Sequence, residues 1–297
     1  MRSNFKSSTD RMTREKYQKN LRKKMRKTRL RPWFFITLVC FFLSIIIMNL
    51  SLLFNWGKDN KRISDLETQI EDTIEIVENN GEGQLVNPPE DKDSDYWYYV
   101  NVPFYDVDFS DLLKKNSDTV GFINVKNTNI NYPVVQTEDN DYYLSHAFDK
   151  TLNDAGWVYL DYRNSSNFTD DNTIIYGHGR LNETVFGSLK KLLTDNWQKN
   201  KDNYIINIST PDVNYVYQIF SIYTIESETY YITPSFSELD SKNKWLNTMK
   251  ERNMSTINTE INQYDKIITL STCLNNDGGR IVVHAKLIKQ QTRKTAN

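Results

Sequence analysis

The chain has 297 residues, 38% hydrophobic and 13% aromatic, which is ample for one sizeable globular core with a smaller appendage. Its formal net charge of −1 conceals an asymmetry: residues 1–31 carry thirteen Lys and Arg against Asp10 and Glu15 alone, so the remainder is acidic. Two cysteines leave no disulfide framework, and without an HExxH, a Cys-x-x-Cys or a GxxxxGK[ST] run the usual groups of zinc hydrolysis and nucleotide chemistry are missing.

From Trp33 to Phe54 the sequence WFFITLVCFFLSIIIMNLSLLF holds no charge over 22 residues. As a helix at about 1.5 Å per residue it reaches roughly 33 Å, enough to cross a bilayer. A Lys/Arg-rich segment before a span stays cytoplasmic, so everything after Trp56 is expected outside the cell. A cleaved signal peptide would have a shorter apolar region and a small-x-small site, which NLSLLFNWGKDN does not offer. The polybasic tail is accounted for by anionic lipid and topology, and no nucleic-acid partner is expected.

Residues 57–95 are polar, with Ile63, Leu66, Ile70 and Val77 at roughly heptad spacing, followed by NNGEGQLVNPPEDKDSD. That pattern predicts a short helical stalk and a linker. From Tyr96 the character changes to short aromatic and β-branched runs. The expected organisation is a basic cytoplasmic tail (1–31), a transmembrane anchor (32–55), an extracellular stalk and linker (56–95), a folded domain (96–290) and a C-terminal tail (291–297).

Within the folded domain, VDFSDLLKKN predicts a short amphipathic helix. Strands are expected at VGFINV, INYPVVQ, GWVYLD, NTIIYGH, YIINIS, NYVYQIFSIYTI, DKIITLSTC and RIVVHAKLI, separated by Asn, Asp, Gly and Ser clusters. Eight short strands with little alternating helix point to a mostly antiparallel barrel or sandwich. Two helical interruptions are expected, at TVFGSLKKLLTDNWQKN and at SFSELDSKNKWLNTMKERN.

Strand alternation puts Ile267, Thr269, Ser271 and Cys273 on one face of their strand. The connection LNNDGG is full of turn formers, so a hairpin would bring Arg280 close to Cys273. A thiolate is a nucleophile, and a permanent positive charge beside it favours its formation and can bind an oxyanion. Arginine suits that second task because it stays charged and presents several donors in one plane. On this local pattern alone a core cysteine and a nucleophile are equally good readings. Cys40 lies in the proposed span, so Cys273 has no intrachain disulfide partner.

A cysteine nucleophile usually needs a proton acceptor and donor. His178 follows the apolar run NTIIY and is flanked by Gly177 and Gly179, which lets the backbone bend and leaves the imidazole open at a strand end. His284 is four residues past Arg280, roughly 13 Å along the same strand, and is expected to sit too deep in the barrel to share the site. His146, in DYYLSHAFD, has a surface or structural role. Acidic pairs such as Asp139 with Asp141 or Glu226 with Glu228 read as solvated loops rather than calcium sites. The many Tyr and Trp at strand spacing read as core.

TLSTC followed by Arg280, with YGH about a hundred residues before, resembles the sortases, and His, Cys, Arg is that family's order. The stretches VGFINVKNTNINYPVVQTEDNDYYLSHAFD, GWVYLDYRN and IIYGHGRLNETVFGSLKKL, and the helix around 236–251, resemble class B members, over roughly residues 107–289. The resemblance implies a closed eight-stranded sortase-type β-barrel with peripheral helices, preceded by a single N-terminal transmembrane helix. It also implies a membrane-anchored transpeptidase that cuts a C-terminal sorting signal of exported proteins after Thr and holds the new carboxyl as a thioester. An amine of the peptidoglycan precursor, or a pilin lysine in some members, then resolves it. No cofactor or metal is implied.

By position, Cys273 is the expected nucleophile, His178 the acid that protonates the leaving amine, and Arg280 the group that steadies the oxyanion and substrate. Ser271 and Leu144 match positions that line the signal-binding groove. The chain departs from class B at Gly179, where Asn is common, and in the short LNNDGG loop. With reference pKa values near 8.5 for Cys and 6.5 for His, only a minority of molecules at neutral pH would hold thiolate and imidazolium together unless the site shifts them. Thioester formation conserves the energy of the cut peptide bond, so no nucleotide is needed outside the cell. The competing readings are a pilin-polymerising sortase, a plain cysteine peptidase releasing product to water, and a tethered binding domain without catalysis.

Overall fold

A computed structural model describes residues 3–27, 32–274 and 279–293. The chain divides into two compact units, Met1–Lys58 and Asp59–Asn297. The first holds α1 (Ser3–Lys27) and the N-terminal part of α2 (Pro32–Thr73). The apolar side chains of α2 between Trp33 and Trp56 are exposed, and this helix is long and apolar enough to cross a membrane.

In the second unit the remainder of α2 is no free stalk. Ile63, Leu66 and Ile70 recur on one helix face and are 0%, 5% and 2% exposed, buried in the same cluster as the barrel core. Val77, the fourth heptad position, is exposed in β1 (Ile76–Asn79). The linker also pairs with the body. β2 (Gln84–Leu85) adds to the last strand, and β1 pairs antiparallel with β3 (Phe104–Val107). Between them the short helix α3 (Tyr96–Tyr99) carries Tyr96, whose hydroxyl bonds the Ile288 carbonyl at 2.8 Å. The helix expected near 107–116 is α4 (Ser110–Lys115).

The barrel is built from β4 (Thr119–Val125), β5 (Asn131–Val135), β6 (Tyr159–Leu160), β7 (Asn172–Gly177), β8 (Ile205–Ser209), β9 (Val213–Glu226), β10 (Ile267–Leu274) and β11 (Gly279–Thr292). Their order is β10-β7-β6-β5-β4-β8-β9-β11, and pairing of β10 with β11 closes the ring, as the resemblance implied. The sheet is mixed rather than purely antiparallel: β5 with β6 and β7 with β10 run parallel. β9 is long enough to serve two neighbours and β11 three, and register shifts at His284/Ala285 and Leu287/Lys289 help them curve.

The helix expected over 184–200 is instead a 3-10 segment, Gly187–Leu193, followed by α5 (Asp195–Gln198). Thr194, in extended conformation at φ −95° and ψ 139°, divides them and caps α5 by accepting from the Trp197 N–H. The later helix is α6 (Leu239–Glu251). It covers the barrel wall through Trp245, Leu246 and Met249, which cluster with Phe220, Tyr223, Tyr231, Ile267 and Val282. Ile281, Val283 and Ala285, on the alternate face of β11, belong to the barrel core.

Candidate active site

The parallel register of β7 and β10 pairs Gly177 with Thr272. His178 and Cys273, each one residue further, therefore leave neighbouring strands at the same end of the barrel, where such strands lie about 4.8 Å apart. In the antiparallel register of β10 and β11, Cys273 stands opposite Arg280. His178 and the hairpin that carries Cys273 and Arg280, about a hundred residues apart in the chain, thus meet at one edge. The side chain of Cys273 and residues 275–278 of the LNNDGG connection lie outside the described residues.

His178 is half-exposed, and its Nε2 donates to the Leu144 carbonyl at 2.9 Å. That carbonyl ends the 3-10 turn Tyr142–Leu144, which His146 pins by stacking on Tyr142 at 4.0 Å and donating from Nδ1 to the Tyr142 carbonyl at 2.8 Å. His146 is therefore structural. Gly156, at φ +59°, sits against His178: a Cβ there would lie 2.5 Å from the Tyr143 carbonyl and 2.9 Å from His178 Cδ2.

A cleft of about 290 Å³ opens beside His178. His178 and Arg280 line it together with Leu144, Tyr159, Tyr176, Tyr231, Ser271 and Thr272, and Asp141 and Glu228 add carboxylates. Arg280 donates from Nη1 to the Gly279 carbonyl at 3.1 Å. Leu144 is 40% exposed and contributes the His178 acceptor as well as a wall. Ser271, 2% exposed, spends its hydroxyl on Tyr231 Oη at 2.9 Å and forms buried floor.

Several contributors were invisible in the sequence. The wall from Glu228 to Thr233 hangs on side chains of other elements. Trp245 Nε1 donates to the Tyr230 carbonyl, Arg163 to that of Ile232, and Asn172 Nδ2 to those of Tyr231 and Thr233. Glu228 is tied to Arg252 at 2.6 Å. Tyr176, on the cleft, donates to Asp161, which also takes a two-pronged bond from Arg163. Burial pushes the Asp161 carboxyl up, but the Arg163 guanidinium and the Tyr176 hydroxyl outweigh it and hold the group below the usual carboxylate range. Nothing in the local pattern of these residues distinguishes them from solvated loop or strand positions.

His284 is fully buried, but on the outward face of β11 beneath α6 rather than deep in the barrel, because it alternates with Val283 and shares the face of Val282. Its proton is fixed by a chain of bonds. Two carbonyls take the Asn172 amide hydrogens, so Asn172 Oδ1 accepts from Thr269 Oγ1 at 2.6 Å. Thr269 then accepts from His284 Nδ1 at 2.8 Å, leaving Nε2 to accept from the Tyr223 hydroxyl at 2.9 Å. Among the described residues no group of three or more His, Cys, Asp or Glu side chains is arranged to hold a metal ion.

The sortase domain family model matches residues 123–288, which contain all eight barrel strands except the start of β4 and the end of β11. The chain belongs to the sortase family. It is 36% identical to sortase B of Listeria monocytogenes over 181 residues, 60% of this chain and 73% of that one. A crystal structure of a protein similar to sortase B from Bacillus anthracis superposes with a TM-score of 0.61 at 31% identity, covering 80% of this chain and 99% of that one. A sortase B–substrate complex from Staphylococcus aureus gives a TM-score of 0.56 at 33% identity over 61% and 84% of the two chains. The protein is thus a class B sortase, a cysteine transpeptidase, and Cys273 stands at the barrel end just described.

Proposed function

We propose that this sortase cleaves a C-terminal sorting signal of exported proteins after Thr, holds the acyl group on Cys273 and passes it to an amine of the peptidoglycan precursor, so anchoring a surface protein to the cell wall. The observation that carries the assignment is the double register that sets His178, Cys273 and Arg280 at one end of three adjacent strands. The Cys273 thiolate attacks the Thr carbonyl carbon, and the Arg280 guanidinium stabilises the oxyanion that forms. As the carbon–nitrogen bond breaks, the leaving amine takes a proton from the imidazolium of His178. The incoming amine attacks the thioester, gives its proton to the imidazole, and the thiolate departs, which restores the starting state.

In this reading the apolar half of α2 spans the membrane with the basic segment on the cytoplasmic side and the barrel outside, where exported proteins and wall precursors meet. The S. aureus neighbour is a complex with substrate, which supports a substrate cleft on this fold. The test uses full-length protein in detergent with a panel of signal peptides varied before Thr and an excess of candidate amines. Mass spectrometry is expected to find an acyl adduct on Cys273 and a peptide joined to the amine. Hydrolysed product alone, whatever the amine, would make the protein a peptidase, and full activity in Cys273→Ala would remove the nucleophile.

A further inference from the structure

The loop that leaves His178 closes on the histidine itself. The His178 carbonyl accepts from Arg180 N–H at 3.1 Å and from Phe186 N–H at 3.0 Å, and Gly179 bridges to Val185. Its return limb is strained, because Val185 has φ 54°, a left-handed conformation that a β-branched side chain resists. Such a conformation persists only where the surroundings hold it. Here the Val185 N–H donates to Tyr132 Oη at 2.8 Å, and the Tyr132 hydroxyl donates in turn to Glu67 Oε1 at 2.7 Å. The other limb is held from the same helix, where Asn60 Oδ1 accepts from the Arg180 guanidinium. Residues 60 and 67 are two turns apart and share a face, and Ile63, Leu66 and Ile70 bury the helix between and beyond them.

We propose that the segment 59–73 of α2 is a positioning element for His178, with Glu67 and Tyr132 as positioning residues that hold Val185, and through Phe186 the His178 carbonyl, in the geometry proton transfer needs. Losing the Tyr132 hydroxyl frees Val185 to leave the left-handed region. The Phe186–His178 bond then shifts, and with it the direction from which the imidazole reaches the Leu144 carbonyl and the cleft.

The proposal rests on His178 acting as the acid of the reaction, and the test separates the two. In full-length protein, Tyr132→Phe and Glu67→Leu are expected to lower kcat about tenfold with KM within about twofold, since small misplacements of a reacting group cost rate rather than binding. Glu67→Gln keeps an acceptor for the hydroxyl and is expected to restore kcat to within about twofold of the parent. The ring resonances of His178 should move in Tyr132→Phe and stay in Glu67→Gln. An unchanged kcat in Tyr132→Phe, or equal loss in Glu67→Gln and Glu67→Leu, overturns the positioning role. Should Tyr132→Phe not fold, Asn60→Ala carries the test, and unchanged kcat there overturns it equally. His178→Ala is measured alongside: retained activity would sink the assignment of His178, whereas its loss beside an unaffected Tyr132→Phe would sink the positioning alone.

Discussion

Gly156 shows how much of the site depends on an atom that is absent. Its left-handed backbone and the 2.9 Å approach of a would-be Cβ to His178 mean that Gly156→Ala must displace either the turn or the imidazole. Transfer activity is expected to fall by at least about tenfold, with a loss of roughly 1–3 kcal/mol in stability. A peptide-transfer assay beside a thermal melt checks both. His284 makes a second residue-scale prediction. Complete burial, and secondarily the nearby Arg252 charge, lower its pKa from 6.5 to about 3. Because the folded value is depressed, the stabilisation is fully present above the unfolded value of 6.5 and is lost as pH falls towards 3. Urea unfolding should lose stability by up to about 1.4 kcal/mol per pH unit below 6.5. Asp161 and Asp171, whose pKa values lie below their ordinary 3.8, add to that loss only at still lower pH. A His284 ring that titrates between pH 7 and 5 in the folded protein would contradict this account.

The element that shapes the cleft most is the irregular wall between β9 and α6. It lies outside the β ladders over Tyr230 to Thr233, yet those four carbonyls accept from Trp245, Asn172 and Arg163, in three separate parts of the fold. Where such a donor serves a buried acceptor, its removal costs about 1–3 kcal/mol per group. Asn172→Ala removes at once a donor to the Tyr231 and Thr233 carbonyls and the acceptor of the Thr269 hydroxyl hydrogen. It is expected to lower stability by about 2–4 kcal/mol and to raise KM more than it lowers kcat, because the wall moves while His178 keeps its own partners. Steady-state kinetics and chemical unfolding decide this. The segment 184–200 carries the complementary lesson. Its apolar spacing reads as one helix, but Thr194 offers its hydroxyl to a backbone N–H and starts a new turn, a local competition that periodicity alone does not register.

At the scale of the whole molecule, the part of α2 that follows its apolar run decides where the folded unit begins. Ile63, Leu66 and Ile70 together contribute roughly 5–9 kcal/mol at about 1.5–3 kcal/mol per buried side chain, an upper bound comparable with the 5–15 kcal/mol of a typical domain. A chain beginning at Asp59 is expected to unfold cooperatively, while one beginning at Tyr96, which also loses β1 and β2, should be largely unfolded or melt far lower; circular dichroism melts of the two compare them directly. The sequence by itself determined the membrane-length apolar run, the eight barrel strands, the hairpin that places Arg280 opposite Cys273, and the sortase likeness. Each of these is written in neighbouring residues, as hydropathy over a span, alternation along a strand, turn formers between two runs, or motif order. Only the tertiary structure decided that β7 and β10 lie parallel and bring His178 beside Cys273, that side chains strap the cleft wall, that Gly156 underlies the imidazole, and that α2 clamps the loop behind it. Parallel neighbours joined by a long crossover have no shared turn to betray them. An apolar stripe announces that a face is buried without saying against what.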